Sequence, residues 1–387
     1  MGAPEIASTV AGVVLLPIVF YDLFQTVVLP RPAVRKFQLA RYIIRPMWRV
    51  WRWTSLRSTA VDRSEGRMAA FGPIALIVLV LIWAFGLILG YGLVLYGVRD
   101  QFHPELADFP EAFYVSASTL VPLAYGDFVP EQGFARFLIV LESANGVAFG
   151  AAAITLLFEL YGSFRAREEA VVALDALAGA PASAVQLLET AAAPTMDGIL
   201  KDTFEEWRKW SAMVLESHLA YPLLLYFRSS HDNEAWINSF GAVMDAAALV
   251  ITSVEGDQSH GAAKLMFTVG NHFVEDIAWL LRFQPANDPI VERDEYVAAI
   301  ARLKAAGYKA QDGDEHWQKF AKQRGRYAVQ LNRLAQLLAA PPAPWVGDRS
   351  YLPHRQRARR KKPAANLPTK SEDPRLEPRS GPTSGSP

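Results

Sequence analysis

The chain has 387 residues, a formal net charge of zero, 51% hydrophobic residues and no cysteine. A net charge of zero favours neither nucleic acid nor an acidic partner, so any charge argument must be local. The lack of cysteine excludes a disulfide framework, thiolate catalysis and a cysteine-ligated metal site. The hydrophobic share exceeds that of ordinary soluble proteins and indicates membrane segments.

The first long apolar stretch, residues 6–30, carries a single charge at Asp22. About 20 apolar residues cross a bilayer as a helix, so this stretch predicts an N-terminal transmembrane helix. A cleaved signal peptide is the alternative, but the stretch has no basic leader and no small-residue cleavage site. Because an intramembrane carboxylate is costly, we expect Asp22 to pair with an arginine of the next segment rather than to handle ions.

Residues 31–67 form a basic segment with ten Lys or Arg residues and two acidic residues, which the positive-inside rule places in the cytoplasm. Its arginines and tryptophans follow helical spacing: Arg41, Arg45, Arg49 and Arg52 on one face, with Trp48, Trp51 and Trp53 between them. The pattern predicts a helix on the inner membrane surface, kinked at Pro46, with tryptophans at headgroup depth and arginines on anionic lipid headgroups. An ordinary solvated linker helix is the alternative.

Two further stretches predict membrane spans. Residues 68–98 contain no charge over 31 positions, and residues 134–164 are interrupted by only three charges. The loop between them is acidic, so it faces the outside, together with the N-terminus. Three crossings satisfy these constraints and leave the chain after Arg165 in the cytoplasm. We expect the protein in the plasma (inner) membrane.

Between these spans lies PEAFYVSASTLVPL, residues 110–123, followed directly by AYGDFVP. The segment is too short to cross a membrane and too apolar for a free loop. Because irregular backbone at membrane depth must be packed within protein, it predicts a re-entrant helix in a P-loop at 110–130. Residues 68–164 then read as outer helix, pore helix, filter and inner helix.

This order resembles the two-transmembrane pore domain of the potassium channel superfamily over residues 70–165. Tyr125, Gly126 and Asp127 follow the pore-helix pattern, and Gly146 lies 20 residues after Gly126, where that superfamily has its inner-helix hinge glycine. More narrowly, the chain is similar to bacterial ion-channel-like proteins with one extra N-terminal span and a helical cytoplasmic domain. The stretches LDALAGAPASAVQLLE and ESHLAYPLLLYFRSSHDNEAW extend this likeness over most of the chain before the tail.

The resemblance implies a filter and its permeant ion. The filter positions are Pro122, Leu123, Ala124, Tyr125 and Gly126, with Asp127 at the outer mouth. The backbone carbonyls of Pro122, Leu123, Ala124 and Tyr125 would replace the water shell of a potassium ion, and no cofactor is implied.

Two filter positions depart from the superfamily pattern. Pro122 offers neither a hydroxyl nor an N–H, and it moves Val121 out of the helical region, so the pore helix should stop early. Ala124 stands where glycine is usual, and a left-handed residue with a β-carbon costs about 1–2 kcal/mol. Selective potassium conduction, weakly selective cation conduction and a non-conducting channel-like scaffold all stay open.

The inner helix carries further expectations. With Gly146 as a hinge, one helical face lines the cavity: Val147, Gly150, Ile154 and Phe158. Phe158 would form a ring of four aromatic side chains, a hydrophobic gate that closes by dewetting, with ordinary helix packing as the alternative. We expect Glu142 to support the filter from behind through a hydrogen bond to Ser116 or Ser118, a structural role rather than ion handling.

Residues 165–340 return to helical periodicity with little strand-type alternation. Helices are expected near 168–178, 183–193, 197–229, 233–254, 258–284, 290–306 and 314–339, with N-caps at Ser183 and at Asp232 or Asn233. No dinucleotide or HExxH motif occurs, so neither an enzyme nor a metal site is predicted, and His218 reads as a core histidine. Residues 341–387 predict a disordered tail whose basic cluster contacts lipid headgroups rather than nucleic acid.

The sequence therefore predicts an all-α integral membrane protein with three transmembrane helices, a re-entrant pore helix and filter, and an α-helical cytoplasmic domain. Because a carbonyl-lined pore needs four filter segments and each chain offers one, we expect a homotetramer. The expected function is a passive cation channel of the potassium type, with cytoplasmic helices that assemble the tetramer and transmit a gating signal. The alternative is a channel-like membrane scaffold or sensor whose cytoplasmic helices bind a partner.

Overall fold

The computed structural model describes residues 2–27, 39–57, 61–123, 125–229 and 235–340, together with residues 343 and 345. Several predicted features lie outside these residues. They are Ala124, the expected caps Asp232 and Asn233, parts of the basic segment at 31–38 and 58–60, and the tail except for residues 343 and 345.

Long apolar helices carry the membrane part. They are α1 (Ala3–Val27), α3 (Val61–Gly97) and α5 (Gly133–Ala178), joined by α2 (Leu39–Leu56) and the short α4 (Phe109–Leu120). By length and hydropathy α1, α3 and α5 can each cross a bilayer. The predicted fold class, an all-α membrane protein with a helical domain, is confirmed.

The inner helix α5 is longer than predicted. A separate helix was expected near 168–178, but α5 runs without interruption to Ala178. It ends where Gly179 adopts a φ of 77°, a backbone conformation that favours glycine, and Pro181 follows. At about 1.5 Å per residue, its 46 residues span about 70 Å, more than twice the hydrocarbon thickness. The pore-side helix therefore continues directly into the helical domain.

Small residues allow α1 and α3 to pack closely. Residues 86–90 of α3 read GLILG, and a β-carbon on Gly90 would lie 2.7 Å from Leu16 of α1. This spacing of glycines is typical of close helix pairs in membranes. In the same interface, buried Asp22 accepts a 2.8 Å hydrogen bond from the indole nitrogen of Trp83 on α3. Asp22 therefore has a structural partner on the outer helix, while its expected arginine partner stays a prediction.

The basic helix α2 packs into the protein more deeply than predicted. Trp48 is only 3% exposed, and its indole nitrogen donates to the carbonyl of Leu337 at 3.0 Å. Its ring meets Phe71 of α3 edge-on at 4.8 Å. Trp48 does not contact lipid headgroups as expected, because this face of α2 is covered by α3 and by the end of the helical domain. Trp53 remains exposed.

Within the described residues, seven helices form the helical domain together with the extension of α5. They are α6 (Ala184–Ala191), α7 (Ile199–Ala220), α8 (Trp236–Ser253), α9 (His260–Leu281), α10 (Arg293–Ala305), α11 (Asp314–Gly325) and α12 (Ala328–Leu337). Ser183 caps α6, as predicted, by accepting from the backbone N–H of Gln186. The helix expected over 197–229 ends at Ala220, because Pro222 lacks an N–H and disfavours a helical residue before it. The helix expected over 314–339 is two helices, α11 and α12.

Helix α8 is apolar enough to cross a membrane, yet it lies at the centre of the helical domain. In α8, 94% of the apolar window is buried inside the protein, against 17% in α1. It packs against α6, α9, α11 and α12. Its single charge, Asp245, accepts from Arg324 at 2.8 Å and from the Tyr327 hydroxyl at 2.5 Å. A helix that is apolar all round and enclosed by protein is a core helix, so we count α8 with the domain.

A short antiparallel pair of strands closes the base of the P-loop. Strand β1 (Phe102–His103) precedes α4 and pairs with β2 (Val129–Pro130), which follows the predicted filter. Phe102 lies opposite Pro130. The two ends of the re-entrant segment are therefore held side by side on the same side of the membrane.

Candidate ion pathway

The ends of pore helix α4 are set by its own sequence. At the start, the Asp108 carboxylate accepts from the backbone N–H of Glu111 at 3.1 Å, and Pro110 lies in the first turn. At the end, Val121 has φ −88° and ψ 17°, outside α-helical values, as expected for the residue before Pro122. The backbone N–H of Leu123 then donates to the Ser118 carbonyl at 2.8 Å, which turns the chain back over the helix end.

The predicted filter leaves the end of α4 as an exposed, non-helical segment. Tyr125 is 66% exposed, and Pro122, Leu123, Gly126 and Asp127 are exposed as well. Gly126 has a φ of 77°, in the left-handed region that glycine adopts without steric cost. Ala124 lies outside the described residues, and the carbonyl directions along the filter stay a prediction. Among the described residues of the chain, none covers this segment, so it is available to a pore axis.

A buried carboxyl group lies behind the pore helix. Glu142 of α5 is fully buried, and its Oε1 lies 2.5 Å from the Ser116 hydroxyl of α4, which confirms the predicted contact. The same hydroxyl lies 2.9 Å from the backbone oxygen of Ile88 on α3. Ser116 has one hydrogen and faces two oxygens, so a protonated carboxyl group at Glu142 would allow hydrogen bonds to both. Ser116 and Glu142 therefore link all three helices, and a neutral acid here would avoid a buried charge inside the membrane.

Gly146 marks the closest approach between the inner helix and the pore helix. A β-carbon at this position would overlap the Leu120 carbonyl group, with the carbonyl carbon at 2.9 Å. Gly146 lies one turn after Glu142, so both residues face α4 from the same side of α5. Helix α5 is continuous through Gly146. The structure thus gives this glycine a packing role, and the hinge role stays a prediction.

A second bond between the outer and inner helices was not predicted. The Asn145 side-chain amide donates to the Tyr91 hydroxyl of α3 at 2.5 Å. Asn145 follows Glu142 by three residues and so lies on the same helix face. This i, i+3 pair of polar residues in an apolar span is the sequence signal that could have indicated the contact.

The predicted cavity-lining residues do not pack inside the chain. Phe158 is 72% exposed, and Val147 and Ile154 are exposed as well. A β-carbon at Gly150 would meet nothing within 4 Å. Ordinary packing within one chain therefore does not explain these apolar residues, which remain free to face an axis or a neighbouring chain.

Just beyond the membrane span, Arg167 clamps α5 to the helical domain. Its buried guanidinium donates to the carbonyls of Leu224 at 3.1 Å and Phe227 at 2.6 Å, and it is paired with Glu168 at 2.8 Å. The Arg167 carbonyl in turn accepts from the Trp210 indole at 3.0 Å. Within RAREEA the arginine looks like one more solvated charge, so this role could not be predicted from the sequence.

His218 completes the Arg167 clamp as a core histidine, as predicted. Its Nδ1–H donates to the Val214 carbonyl at 2.8 Å, and its Nε2 lies 3.3 Å from the guanidinium. Burial, and then the charge of Arg167, hold the pKa of His218 well below its usual value. The ring is therefore neutral and accepts a hydrogen bond from Arg167. The described residues contain no group of three or more His, Cys, Asp or Glu side chains that could hold a metal ion.

Comparison with known proteins identifies the region between α3 and α5. The family model described as "Ion channel" matches residues 75–162. These residues form a potassium-channel-like pore domain. The match begins in the outer helix α3, includes α4 and the predicted filter, and ends just before the Arg167 clamp, so the pore domain contains every predicted filter and cavity position. No curated protein and no solved structure matches the chain.

Proposed function

We propose that the protein is a homotetrameric cation channel of the potassium type, which conducts through a filter built from residues 122–127. The observation that carries the proposal is that the pore helix α4 is held in place by contacts with both the outer helix α3 and the inner helix α5. Glu142 and Gly146 of the inner helix fix α4 from behind, and the exposed filter segment follows α4 directly. An ion site formed by backbone carbonyls needs such a rigid support, because the carbonyls must replace the ion's water shell.

Four copies of the chain would surround one axis. Along the pore domain, α5 exposes apolar side chains that a single chain leaves uncovered, among them Phe137, Val147 and Phe158. Such residues need lipid or another chain around them. We place the N-terminus outside and the helical domain in the cytoplasm of a plasma (inner) membrane, because residues 31–67 are strongly basic and the P-loop region is acidic.

Reconstituted vesicles test conduction and selectivity. The purified protein is exposed separately to potassium and sodium gradients, and we expect potassium flux to exceed sodium flux. Restoring glycine by Ala124→Gly should sharpen the preference for potassium, because a β-carbon disfavours the left-handed backbone that a filter needs. If the unmodified protein and Ala124→Gly both conduct with the same preference for potassium over sodium, Ala124 is not the residue that limits selectivity.

A non-conducting membrane scaffold or sensor is the second candidate. Pro122 favours it, since it removes both the hydroxyl for the innermost ion site and a backbone N–H at the end of the pore helix. In that case the helical domain would bind a partner while the pore stays shut. Vesicles that hold tetrameric protein but pass neither cation would support this candidate.

A further inference from the structure

A cavity lies where the membrane helices meet the helical domain. The space between its walls amounts to about 710 Å³, including open solvent at its mouth. Helices α1, α2, α3 and α5 all contribute, together with residues 220–226 and the end of α9. Its walls are mostly apolar, with Leu79 from α3, Leu156 and Leu160 from α5, and Leu281 from α9. Such a lining suits a hydrocarbon chain.

A single cation borders the described lining of this cavity, Arg45 of α2, and no acidic residue does. The described residues give its guanidinium one polar contact, a long hydrogen bond of 3.4 Å to the Leu280 carbonyl. An arginine donates five hydrogens in a fork that matches a phosphate, so the described residues use only a small part of the Arg45 donors. The surrounding segment 31–67, with ten basic and two acidic residues, adds to the attraction for an anion.

Exposed aromatic side chains place the cavity at the level of the lipid headgroups. Trp279 of α9 is 73% exposed and directly precedes Leu280 and Leu281, which line the cavity. On α2, Tyr42 and Trp53 are exposed on either side of Arg45 in sequence. Tryptophan and tyrosine are enriched where a membrane meets water, so this end of α9 and α2 fits the interface.

We propose that the cavity binds one anionic phospholipid, with an acyl chain between α3 and α5 and its phosphate on Arg45. The site does not depend on whether the pore conducts. It does, however, lie directly behind the predicted gate. Leu156 and Leu160 are buried, whereas Ile154 and Phe158 on the opposite side of α5 are exposed. A bound lipid would therefore support the inner helix at the level of Phe158.

Lipid retention by the purified full-length protein tests the site. The protein is washed extensively in mild detergent, then given phosphatidylglycerol or phosphatidylcholine of equal chain length, and bound lipid is counted by native mass spectrometry. Arg45→Gln should weaken phosphatidylglycerol binding about tenfold, the effect of losing one charge-assisted hydrogen-bond pair. The matched control is Arg49→Gln, which removes the same charge from an exposed position one turn away and should change binding less than twofold.

A second variant tests the acyl chain. Ala220→Leu narrows the cavity without changing charge, so it should reduce the amount of phosphatidylglycerol retained. In the unmodified protein, excess inorganic phosphate should leave the amount of retained phosphatidylglycerol unchanged. Three results would overturn the proposal: equal retention of the two lipids, equal losses in the Arg45 and Arg49 variants, or undiminished retention in Ala220→Leu. The first would indicate unspecific lipid around the protein, the second a diffuse charge effect, and the third binding of the headgroup alone.

Discussion

Replacing Gly146 with alanine perturbs the closest contact between the inner helix and the pore helix. The new β-carbon would lie 2.9 Å from the carbonyl carbon and 3.1 Å from the Cα of Leu120. Carbon atoms are in favourable contact at about 3.5–4.0 Å, so α4 and α5 must separate by about 0.5–1 Å. Because the opposing atoms belong to the backbone, no side chain can rotate to relieve the overlap. Overpacking of this kind costs about 1–3 kcal/mol per chain.

The matched control is Gly150→Ala, since a β-carbon there meets nothing within 4 Å. For the full-length protein in detergent, we expect Gly146→Ala to lower the apparent melting temperature by several degrees, and Gly150→Ala to leave it near the original value. If the proposed channel conducts, potassium flux should fall in Gly146→Ala, because the displaced end of α4 leads into the predicted filter. If both variants melt like the unmodified protein, the close contact does not exist and the reasoning is refuted.

Four further predictions follow from named contacts. Glu142→Gln should preserve the protein's melting temperature, whereas Glu142→Ala should lower it, because the lost bond to Ser116 costs about 1–2 kcal/mol of stability. Equal destabilisation by both variants would show that Glu142 is needed as an anion. Lysine cannot make the forked hydrogen bonds by which Arg167 holds the Leu224 and Phe227 carbonyls, so Arg167→Lys should speed limited proteolysis at 221–229. An unchanged cleavage rate would argue against the clamp. Burial lowers the pKa of His218 in the folded protein, so as the pH falls the unfolded chain binds a proton at this histidine before the folded protein does. The melting temperature should therefore decrease as the pH drops below about 6.5, and it should decrease less in His218→Gln. Phe158→Ser should raise basal flux, and unaltered flux in a conducting protein would remove the gate.

The membrane part was largely predictable because its signals are local. Uncharged stretches define the spans, and Pro122 fixes the end of the pore helix. The contact of Glu142 with Ser116 also followed from the sequence, since a carboxyl group inside a span must find a polar partner and the pore helix offered few.

Features that depend on three-dimensional packing were predicted less well. Trp48 looks like a headgroup anchor in the sequence, but α3 and the helical domain cover it. The continuation of α5 to Ala178 was missed, because the return of charge at Arg165 resembles a domain boundary although no helix breaker stands there. The role of Arg167 could not be predicted, because its partners are backbone carbonyls about 60 residues away. Every residue has a backbone carbonyl, so the sequence does not show which ones an arginine will bind.

Recording from the purified protein in a planar bilayer tests the central claim most directly. With potassium on one side and sodium on the other, a carbonyl filter at residues 122–127 predicts a current whose reversal potential shifts toward that of potassium. Bilayers that contain assembled protein but carry no cation current under any voltage would contradict the channel function.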